Sequence, residues 1–441
     1  MFIYKTTFLL IYAIFVLGIS STLNKDTSAL TLRTIKGAEE VVDTTNIYYI
    51  NVQGGGDLTK HIQDQIDAVP NGTAQKANVI KFPRGRFWTE GNLEWNPKGK
   101  NGIINFVNKH HLIIEGFSKE EPTVFYTKAP AIPFGGNVSR GNYSHRRHFR
   151  IHQSTNITVR NIRIEGSNTI EGKVLGSSSE FTPDFWEGGK DSGSKSGFPA
   201  YQSYWEFEHA FDIINSQNIT IEDSSVYGVW GDGVYIGQST TNPSENIILR
   251  NLHLKFTGLQ GIAVSDARKI IIDKVWIDKG RRSGIDLEPF HDEGFANDVE
   301  VRNSKIDVQL TPFAAGGRGD VSNIYIHNNE YTGSGNTIFC RTSNEKNPTI
   351  RKNWKFIKNV RTNTYGSSSP VIKFGWTENI LIEGNVDRVS HKKGLYVGAS
   401  YCNNIVIKDN EVKGGKAIRI YKSNNLEVKK NKPGLEVINN G

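Results

Sequence analysis

The sequence predicts an all-β fold, a right-handed, single-stranded parallel β-helix with a capping helix at its N-terminal end. A short strand motif recurs along the chain, with successive starts at 218, 246, 269, 298 and 323 separated by 28, 23, 29 and 25 residues. A second, glycine-led strand follows in several repeats. No segment between the repeats has the 3.6-residue apolar period of a helix, so the turns must stack as parallel sheets.

The recurring motif places apolar residues at alternate positions after a polar residue, as expected for a strand with one buried face. An asparagine at the same corner of successive turns can adopt the left-handed conformation and bond to the asparagines above and below. We therefore predict a structural role for these asparagines. The motif begins at Asn156, Asn218, Asn246, Lys269, Asp298, Asn323, Asn379, Asn404 and Asn425.

The segment before the repeats predicts a helix over residues 57–69. Leu58, Ile62, Ile66 and Val69 fall at helical spacing, and Pro70 ends the pattern. A solenoid exposes an apolar face and unpaired strand edges at its end, so a helix in this place is interpreted as a cap. The predicted β-helix domain spans residues 48–441.

The first 21 residues have the pattern of a signal peptide. Lys5 precedes the apolar stretch Phe8 to Ile19, and small residues follow it. The prediction is therefore a secreted or cell-surface protein, in which residues 1–21 are a signal peptide or an uncleaved membrane anchor and residues 22–47 form a linker.

Composition excludes several classes. With 22% charged and 10% aromatic residues, the chain is neither disordered nor a multi-span membrane protein. Only two cysteines are present, Cys340 and Cys402, and we expect them to be unpaired because they lie two turns apart. The net charge of +8 indicates an anionic partner, and secretion favours an acidic polysaccharide over nucleic acid.

The strand that ends in Phe82-Pro83-Arg84-Gly85, together with the asparagine-led repeats, resembles the pectate-lyase-like superfamily of secreted β-helix proteins. That resemblance implies the β-helix fold and action on polysaccharides. The superfamily includes polygalacturonases, pectate lyases, uronate epimerases, tailspikes and adhesins, so the activity stays open. No cofactor is predicted. Calcium, which pectate lyases use, is the one metal that the resemblance allows, and no motif in the sequence supports it.

Aligning the glycine-led strands predicts which side chains share a position. Phe211, Val234, Ile262 and Ile285 should point inward. Outward-facing polar residues should then gather on adjacent turns, provided that the glycines at 233, 261 and 284 bend the chain. The predicted cluster contains His209, Asp212, Asp232, Tyr235, Gln260, Asp286 and Glu288, with Arg281, Arg282 and His291 nearby.

Glycoside hydrolysis by a carboxylate pair is the first functional hypothesis. Asp232 and Asp286 lie two turns apart, about 10 Å between backbones, which suits an acid and a base on either side of a glycosidic bond. Glu288 is a further candidate catalytic carboxylate, and His209 is placed to orient Asp232. Gly231-Asp232-Gly233 resembles an aspartate-bearing strand of polygalacturonases, but Gln260 and Ser283 stand where those enzymes have a further aspartate and a histidine.

Two alternatives remain. A polysaccharide lyase or uronate C5-epimerase would use Arg281 or Arg282 to neutralise a substrate carboxylate, with Tyr235, His209 or His291 as base or acid. A glycan-binding β-helix without catalysis would use the same groove for contact alone. Asp212 and Gln260 are predicted to contact the substrate in any of these cases.

An insertion of about residues 170–207 interrupts the repeats before His209 and is rich in aromatic side chains. Sugar rings stack on such side chains, so we predict that this loop contributes substrate contacts. The candidates are Trp186, Tyr204 and Trp205.

Overall fold

The computed structural model describes residues 46–91, 102–129, 146–168, 197–201, 205–237, 240–366, 370–390, 394–413 and 417–440. Within these residues the chain forms 36 β-strands and one α-helix, and every strand pair is parallel. Successive strands pass in rotation through three sheets, so each turn of the chain adds one strand to each sheet. This topology is a parallel β-helix and confirms the predicted fold class.

We number the three sheets from the largest to the smallest, counting strands within the described residues. Sheet 1 has 13 strands, sheet 2 has 12 and sheet 3 has 11. Sheet 1 contains β1 (Asn46–Tyr49), β2 (Asn78–Lys81), β5 (His110–Glu115), β8 (Thr155–Arg160), β11 (Gln217–Glu222), β14 (Ser244–Arg250), β17 (Ala267–Asp273), β20 (Ala296–Arg302), β23 (Ile324–His327), β26 (Arg351–Ile357), β29 (Thr377–Glu383), β32 (Asn403–Lys408) and β35 (Asn424–Lys429). Sheet 2 contains β4 (Gly102–Val107), β7 (Arg147–His152), β10 (Phe211–Ile214), β13 (Val234–Gly237), β16 (Ile262–Val264), β19 (Ile285–Leu287), β22 (Phe313–Ala315), β25 (Ile338–Cys340), β28 (Ile372–Gly375), β31 (Leu395–Ser400), β34 (Ala417–Tyr421) and β36 (Glu436–Asn439). Sheet 3 contains β3 (Arg86–Trp88), β6 (Thr123–Tyr126), β9 (Ile162–Glu165), β12 (Ser225–Val229), β15 (His253–Thr257), β18 (Trp276–Gly280), β21 (Lys305–Val308), β24 (Glu330–Thr332), β27 (Val360–Asn363), β30 (Val386–Asp387) and β33 (Glu411–Val412).

The helix α1 (Thr59–Ala68) lies within the segment predicted to be helical. Its Ile62 and Ile66 are fully buried and belong to the solenoid core. The Gln63 side chain forms two hydrogen bonds with β4. Its Nε2 donates to the Asn105 carbonyl (2.9 Å), and its Oε1 accepts from the Asn105 N–H (2.7 Å). The helix therefore covers apolar surface at the N-terminal end of the core, as a cap must. Residues 1–21 and almost all of the predicted linker lie outside the described residues.

The core of the solenoid consists of rows of apolar side chains in register. Phe211, Val234, Ile262 and Ile285 pair with one another along sheet 2, and each is at most 2% exposed. This confirms the inward row predicted from the alternation.

Within the described residues, the structure contains no helix with the length and apolar character needed to span a bilayer. Cys340 and Cys402 are both free thiols, as predicted.

The asparagines that begin the strands of sheet 1 form a ladder along one corner. Asn156, Asn218 and Asn246 all have φ near +57° (56–57°). The side-chain amide of Asn218 donates to that of Asn156 (2.9 Å), and Asn246 donates to Asn218 (3.0 Å). This confirms the structural interpretation, because each amide is both donor and acceptor between neighbouring turns.

A second, buried asparagine ladder was not predicted. It runs between sheets 1 and 3 through Asn329, Asn359, Asn385, Asn410 and Asn431. The Nδ2 of Asn359 donates to Asn385 Oδ1 (3.1 Å) and to the Ile326 carbonyl (3.0 Å), and its Oδ1 accepts the backbone N–H of Asn329 (3.0 Å). These asparagines satisfy backbone groups that would otherwise be buried without partners.

We expect Asn359→Ala to lower the free energy of unfolding by about 2–5 kcal/mol, because it leaves several buried donors and acceptors unpaired. Asn379→Ala is the matched control. Asn379 belongs to the exposed ladder, and its partners regain water when it is truncated. Chemical denaturation of both variants measures the difference. Equal losses would contradict a special role for burial.

Candidate functional site

The candidate site lies on the outer face of sheet 2, where four turns place polar side chains side by side. Asp212 in β10, Tyr235 in β13, Ala263 in β16 and Asp286 in β19 occupy equivalent positions. The strand register is the one predicted from the alternating pattern. Asp232 and Asp286 are therefore two turns apart, on turns separated by that of Gln260.

A second column, His209, Asp232, Gln260 and Ser283, lies at the corner before these strands. The glycines that follow Asp232, Gln260 and Ser283 produce this arrangement, although none of the three has a left-handed φ. Instead, a Cβ on Gly261 would lie 2.5 Å from Ile277 Cδ1, and one on Gly284 would lie 2.5 Å from Ile306 Cγ2. The glycines fit tightly against the core. The side chains of His209, Asp232 and Gln260 in this column are themselves at most 7% exposed.

Asp232 is at the centre of the cluster and is 2% exposed. Its Oδ1 accepts the backbone N–H of Gln260 (2.8 Å), and its Oδ2 lies 3.2 Å from His209 Nδ1. The same imidazole nitrogen accepts the N–H of Asp232 (3.1 Å), which fixes the relative position of the two residues. Burial raises the pKa of Asp232 well above its ordinary value, and the negative charges of Asp286, Glu206 and Glu288 raise it further.

Gln260 connects the two candidate catalytic aspartates. Besides its backbone bond to Asp232, it donates from Nε2 to Asp286 Oδ2 (2.9 Å). Asp286 is 7% exposed, and burial raises the pKa of its carboxyl, while Gln260, Arg282 and Arg351 act in the opposite direction. The other Asp286 oxygen, Oδ1, is buried and has no hydrogen-bond partner within the described residues. Its capacity to accept a hydrogen bond is therefore not used by the described residues.

Glu288 follows β19 and is half-buried beside Asp286. Burial and the Asp286 charge raise the pKa of Glu288 to about 7, whereas Arg282 and Arg351 favour its ionised form. Arg351 is fully buried and donates to the carbonyl oxygens of Ala315, Gly316 and Gly317, so it holds the chain after β22 next to the site.

Glu288 should make the protein less stable as the pH rises. A carboxyl whose pKa is raised in the folded state stabilises fully below its unfolded pKa, 4.5, and loses that contribution as the pH rises through about 7. Glutamine resembles the protonated form. We therefore expect Glu288→Gln to gain thermal stability over the native chain between pH 5 and pH 8, in thermal melts at matched ionic strength.

Glu427→Gln is the control, since that carboxylate is exposed and its pKa is lowered by Lys429. Its stability difference should not increase with pH. A pH-independent difference for Glu288→Gln would contradict a raised pKa.

The His209 and Tyr235 rings stack with 4.8 Å between centroids and 7° between planes. Burial and the charge of Asp212 raise the pKa of the Tyr235 hydroxyl above its ordinary value. Tyr235 therefore stays protonated at neutral pH and is a hydrogen-bond donor rather than a base. Its ring supports the face of the imidazole that orients Asp232.

Asp212 does not join the candidate catalytic group. Its carboxylate is fully buried, with Oδ2 3.6 Å from Arg147 Nε and 3.4 Å from Arg150 Nε. Unlike Asp232, which is buried to a similar extent, Asp212 faces two arginines, so the predicted contact between Asp212 and a substrate would have to compete with both cations. Arg147 and Arg150 reach Asp212 from the preceding turn, and only the paired register of β7 and β10 brings them together.

The other residues predicted to contact the substrate differ in how exposed they are. Arg281 is buried, so the accessible guanidinium of the pair is that of Arg282, whose Cζ lies 4.9 Å from the Tyr201 ring centroid. His291 is exposed beside Asp266. Trp205 is fully buried against Trp230, with ring centroids 4.6 Å apart, which is inconsistent with the predicted sugar contact. Trp186 and Tyr204 lie outside the described residues.

Sequence reasoning missed Glu206. It accepts a hydrogen bond from the Tyr201 hydroxyl (2.8 Å), and its charge raises the pKa of both Asp232 and Glu288. The residue lies at the end of the aromatic insertion, outside the repeat pattern. No periodic signal could have placed it, because its position depends on how the insertion returns to the solenoid.

The described residues contain no group of three or more His, Cys, Asp or Glu side chains arranged to hold a metal ion. A calcium ion needs six to eight oxygen ligands. The part of the chain that the structure describes does not form such a site.

No protein-family model matches the sequence, and no curated protein matches it significantly. Solved structures do match. The Dettilon tailspike protein superimposes with a TM-score of 0.50 at 11% identity, over 89% of this chain and 68% of the tailspike. A family 28 exopolygalacturonase from Yersinia enterocolitica matches with a TM-score of 0.44 at 12% identity, over 89% and 79% of the two chains. The surface adhesin PfbA of Streptococcus pneumoniae matches with a TM-score of 0.44 at 14% identity, over 89% and 92%. At 11% identity the tailspike match shows the fold alone, a parallel β-helix.

Proposed function

We propose that this protein hydrolyses glycosidic bonds in an extracellular acidic polysaccharide. The observation that carries the proposal is the bridge made by Gln260, which holds two buried carboxyl groups, Asp232 and Asp286, from turns on either side of it. Two carboxyl groups with different environments are what acid and base catalysis of glycoside hydrolysis requires.

In this proposal Asp232 is the general acid. Its pKa is raised well above the ordinary value, chiefly by burial, which favours the protonated form that can donate to the leaving oxygen. His209 positions the carboxyl through its Nδ1. Tyr235 supports the imidazole by stacking.

Asp286 is the general base. Burial raises its pKa, but Gln260, Arg282 and Arg351 favour its ionised form, in which Oδ1 can accept a proton from water. Stacked turns are about 4.8 Å apart, so carboxyl groups two turns apart leave room for a water molecule between base and sugar. This spacing favours inversion of configuration. When ionised, the nearby Glu288 adds a negative charge that raises the pKa of Asp232 further.

A lyase or epimerase is the second candidate, favoured by one observation. The charge of Arg282 acts on both Asp286 and Glu288, and its guanidinium lies over Tyr201. A cation in this place could neutralise a uronate carboxylate and acidify the neighbouring C–H. The raised pKa of Tyr235 weighs against Tyr235 as the base.

The test incubates the full chain with polygalacturonate, alginate and a neutral galactan, and measures reducing ends and absorbance at 235 nm together. We expect reducing ends to increase without absorbance, and Asp286→Asn to abolish the increase. Rising absorbance would establish a lyase instead. Absence of both signals with every acidic polymer would overturn the hydrolase.

A further inference from the structure

The outer face of sheet 2 continues beyond the carboxylates toward the C-terminal end of the solenoid. We call this surface the C-terminal track and define it by six outward residues: Ala314, Gly316, Phe339, Arg341, Lys373 and Arg419. Ala314 pairs with Asp286, and Phe339, Lys373, Gly398 and Arg419 follow it in register. The track is therefore continuous with the candidate site.

The first turn of the track has small side chains. Ala314 stands beside Asp286, and a Cβ on Gly316 would lie 3.4 Å from Glu288 Oε1. The turn on the other side of the carboxylates is also small, with Ala263 and Ser265. Small residues thus lie on both sides of Asp286 along sheet 2.

Further along, the track combines an aromatic ring with cations. Phe339 and Lys373 are neighbours on adjacent strands, with Lys373 Nζ 5.2 Å from the ring centroid. Arg341 pairs with Glu345 and lies over Trp376, with its Cζ 5.3 Å from that ring centroid.

The track has an excess of positive charge. Within the described residues neither Lys373 nor Arg419 forms an ion pair with a carboxylate, in contrast to the outer face of sheet 1. There, Lys81 pairs with Glu115, and Arg250 with Glu222. Neither outward column of sheet 2 contains an aspartate or glutamate from β22 to β34.

We propose that the C-terminal track binds a distal stretch of the same acidic polymer, with Phe339 stacking on a sugar ring and Lys373 and Arg419 pairing with uronate carboxylates. The inference rests on the proposed function in that it assumes one polymer lying along the solenoid axis. At about 4.8 Å per turn, Lys373 lies about 14 Å and Arg419 about 24 Å from Asp286. Those lengths correspond to several sugar residues, so the track would select long anionic chains over short or neutral ones.

The experiment measures binding without turnover. Affinity electrophoresis in gels containing polygalacturonate, alginate or neutral galactan is run on Asp232→Asn protein, with and without Lys373→Ala and Arg419→Ala. Exposed ion pairs each contribute about 0.2–1 kcal/mol, so we expect the double substitution to weaken binding to at least one acidic polymer about 2- to 25-fold. The remaining binding should also depend less on salt.

Lys355→Ala is the matched control, an outward lysine on sheet 1, and should leave the affinity unchanged. An equal loss with Lys355→Ala, or unchanged affinity in the double variant, would overturn the track, as would failure to bind either acidic polymer. Binding that depends on Lys373 and Arg419 in a protein that releases no reducing ends would retain the track and reject the hydrolase.

Discussion

Asp232→Asn is expected to lower kcat by about 10²- to 10⁴-fold, the contribution usual for a positioned general acid. The amide keeps the shape of the carboxyl group and can still accept the Gln260 N–H, so the fold should be retained. It has no proton to donate to a leaving oxygen at neutral pH. Reducing-end release from the acidic polymer that proves to be the substrate measures the loss, and circular dichroism checks the fold.

Asp266→Asn is the matched control for this substitution. Asp266 is also buried, and burial raises its pKa, but it accepts from the Phe295 N–H (3.3 Å) rather than joining Gln260 and His209. We expect its activity to stay within a few-fold of the native protein. A comparable loss in both variants would indicate that burial of a carboxyl, and not acid catalysis, explains the effect.

The pH dependence of activity also tests whether Asp232 is the general acid. Activity should fall as the pH rises through the pKa of Asp232, because the acid then loses its proton. The Glu288 charge raises that pKa, so Glu288→Gln should move the alkaline limb toward lower pH. A shift toward higher pH would contradict the role of Asp232 as the acid.

The second large effect is expected inside the solenoid. Arg361 and Asp387 lie on the inward side of sheet 3, with Arg361 Nη1 3.6 Å from Asp387 Oδ2 and each side chain 1% exposed. They occupy the same register position as the apolar Ile306 and the buried Tyr331 of earlier turns. Removing Arg361 takes the opposite charge away from the buried Asp387, so Arg361→Met should lower the free energy of unfolding by about 3–5 kcal/mol.

The double variant Arg361→Met/Asp387→Leu removes both charges and restores apolar packing. We expect it to recover most of the lost stability in urea denaturation. Lys81→Met serves as the surface comparison, since the Lys81–Glu115 pair is partly exposed and should be worth less than about 1 kcal/mol. Additive losses from Arg361→Met and Asp387→Leu would show that the two side chains do not depend on each other.

The periodic pattern of the sequence is enough to predict the fold and the strand register of the candidate site. Alternation with period two identifies which side chains point outward, and the equal position of each glycine-led strand aligns Tyr235 with Asp286 two turns later. The corner asparagines were also predictable, because a left-handed residue at every turn leaves a repeated polar mark in the chain.

The surroundings of each aligned polar residue, in contrast, could not be predicted from the pattern. Asp212 has the same outward position as Asp286 but is neutralised by Arg147 and Arg150, whereas Gln260 connects Asp286 to Asp232. The repeat pattern likewise did not predict the position of Glu206 or the buried ion pair of Arg361 and Asp387. The physical reason is that periodicity records the direction of a side chain, while burial, ion pairing and pKa depend on neighbours that the chain brings in from other turns and insertions.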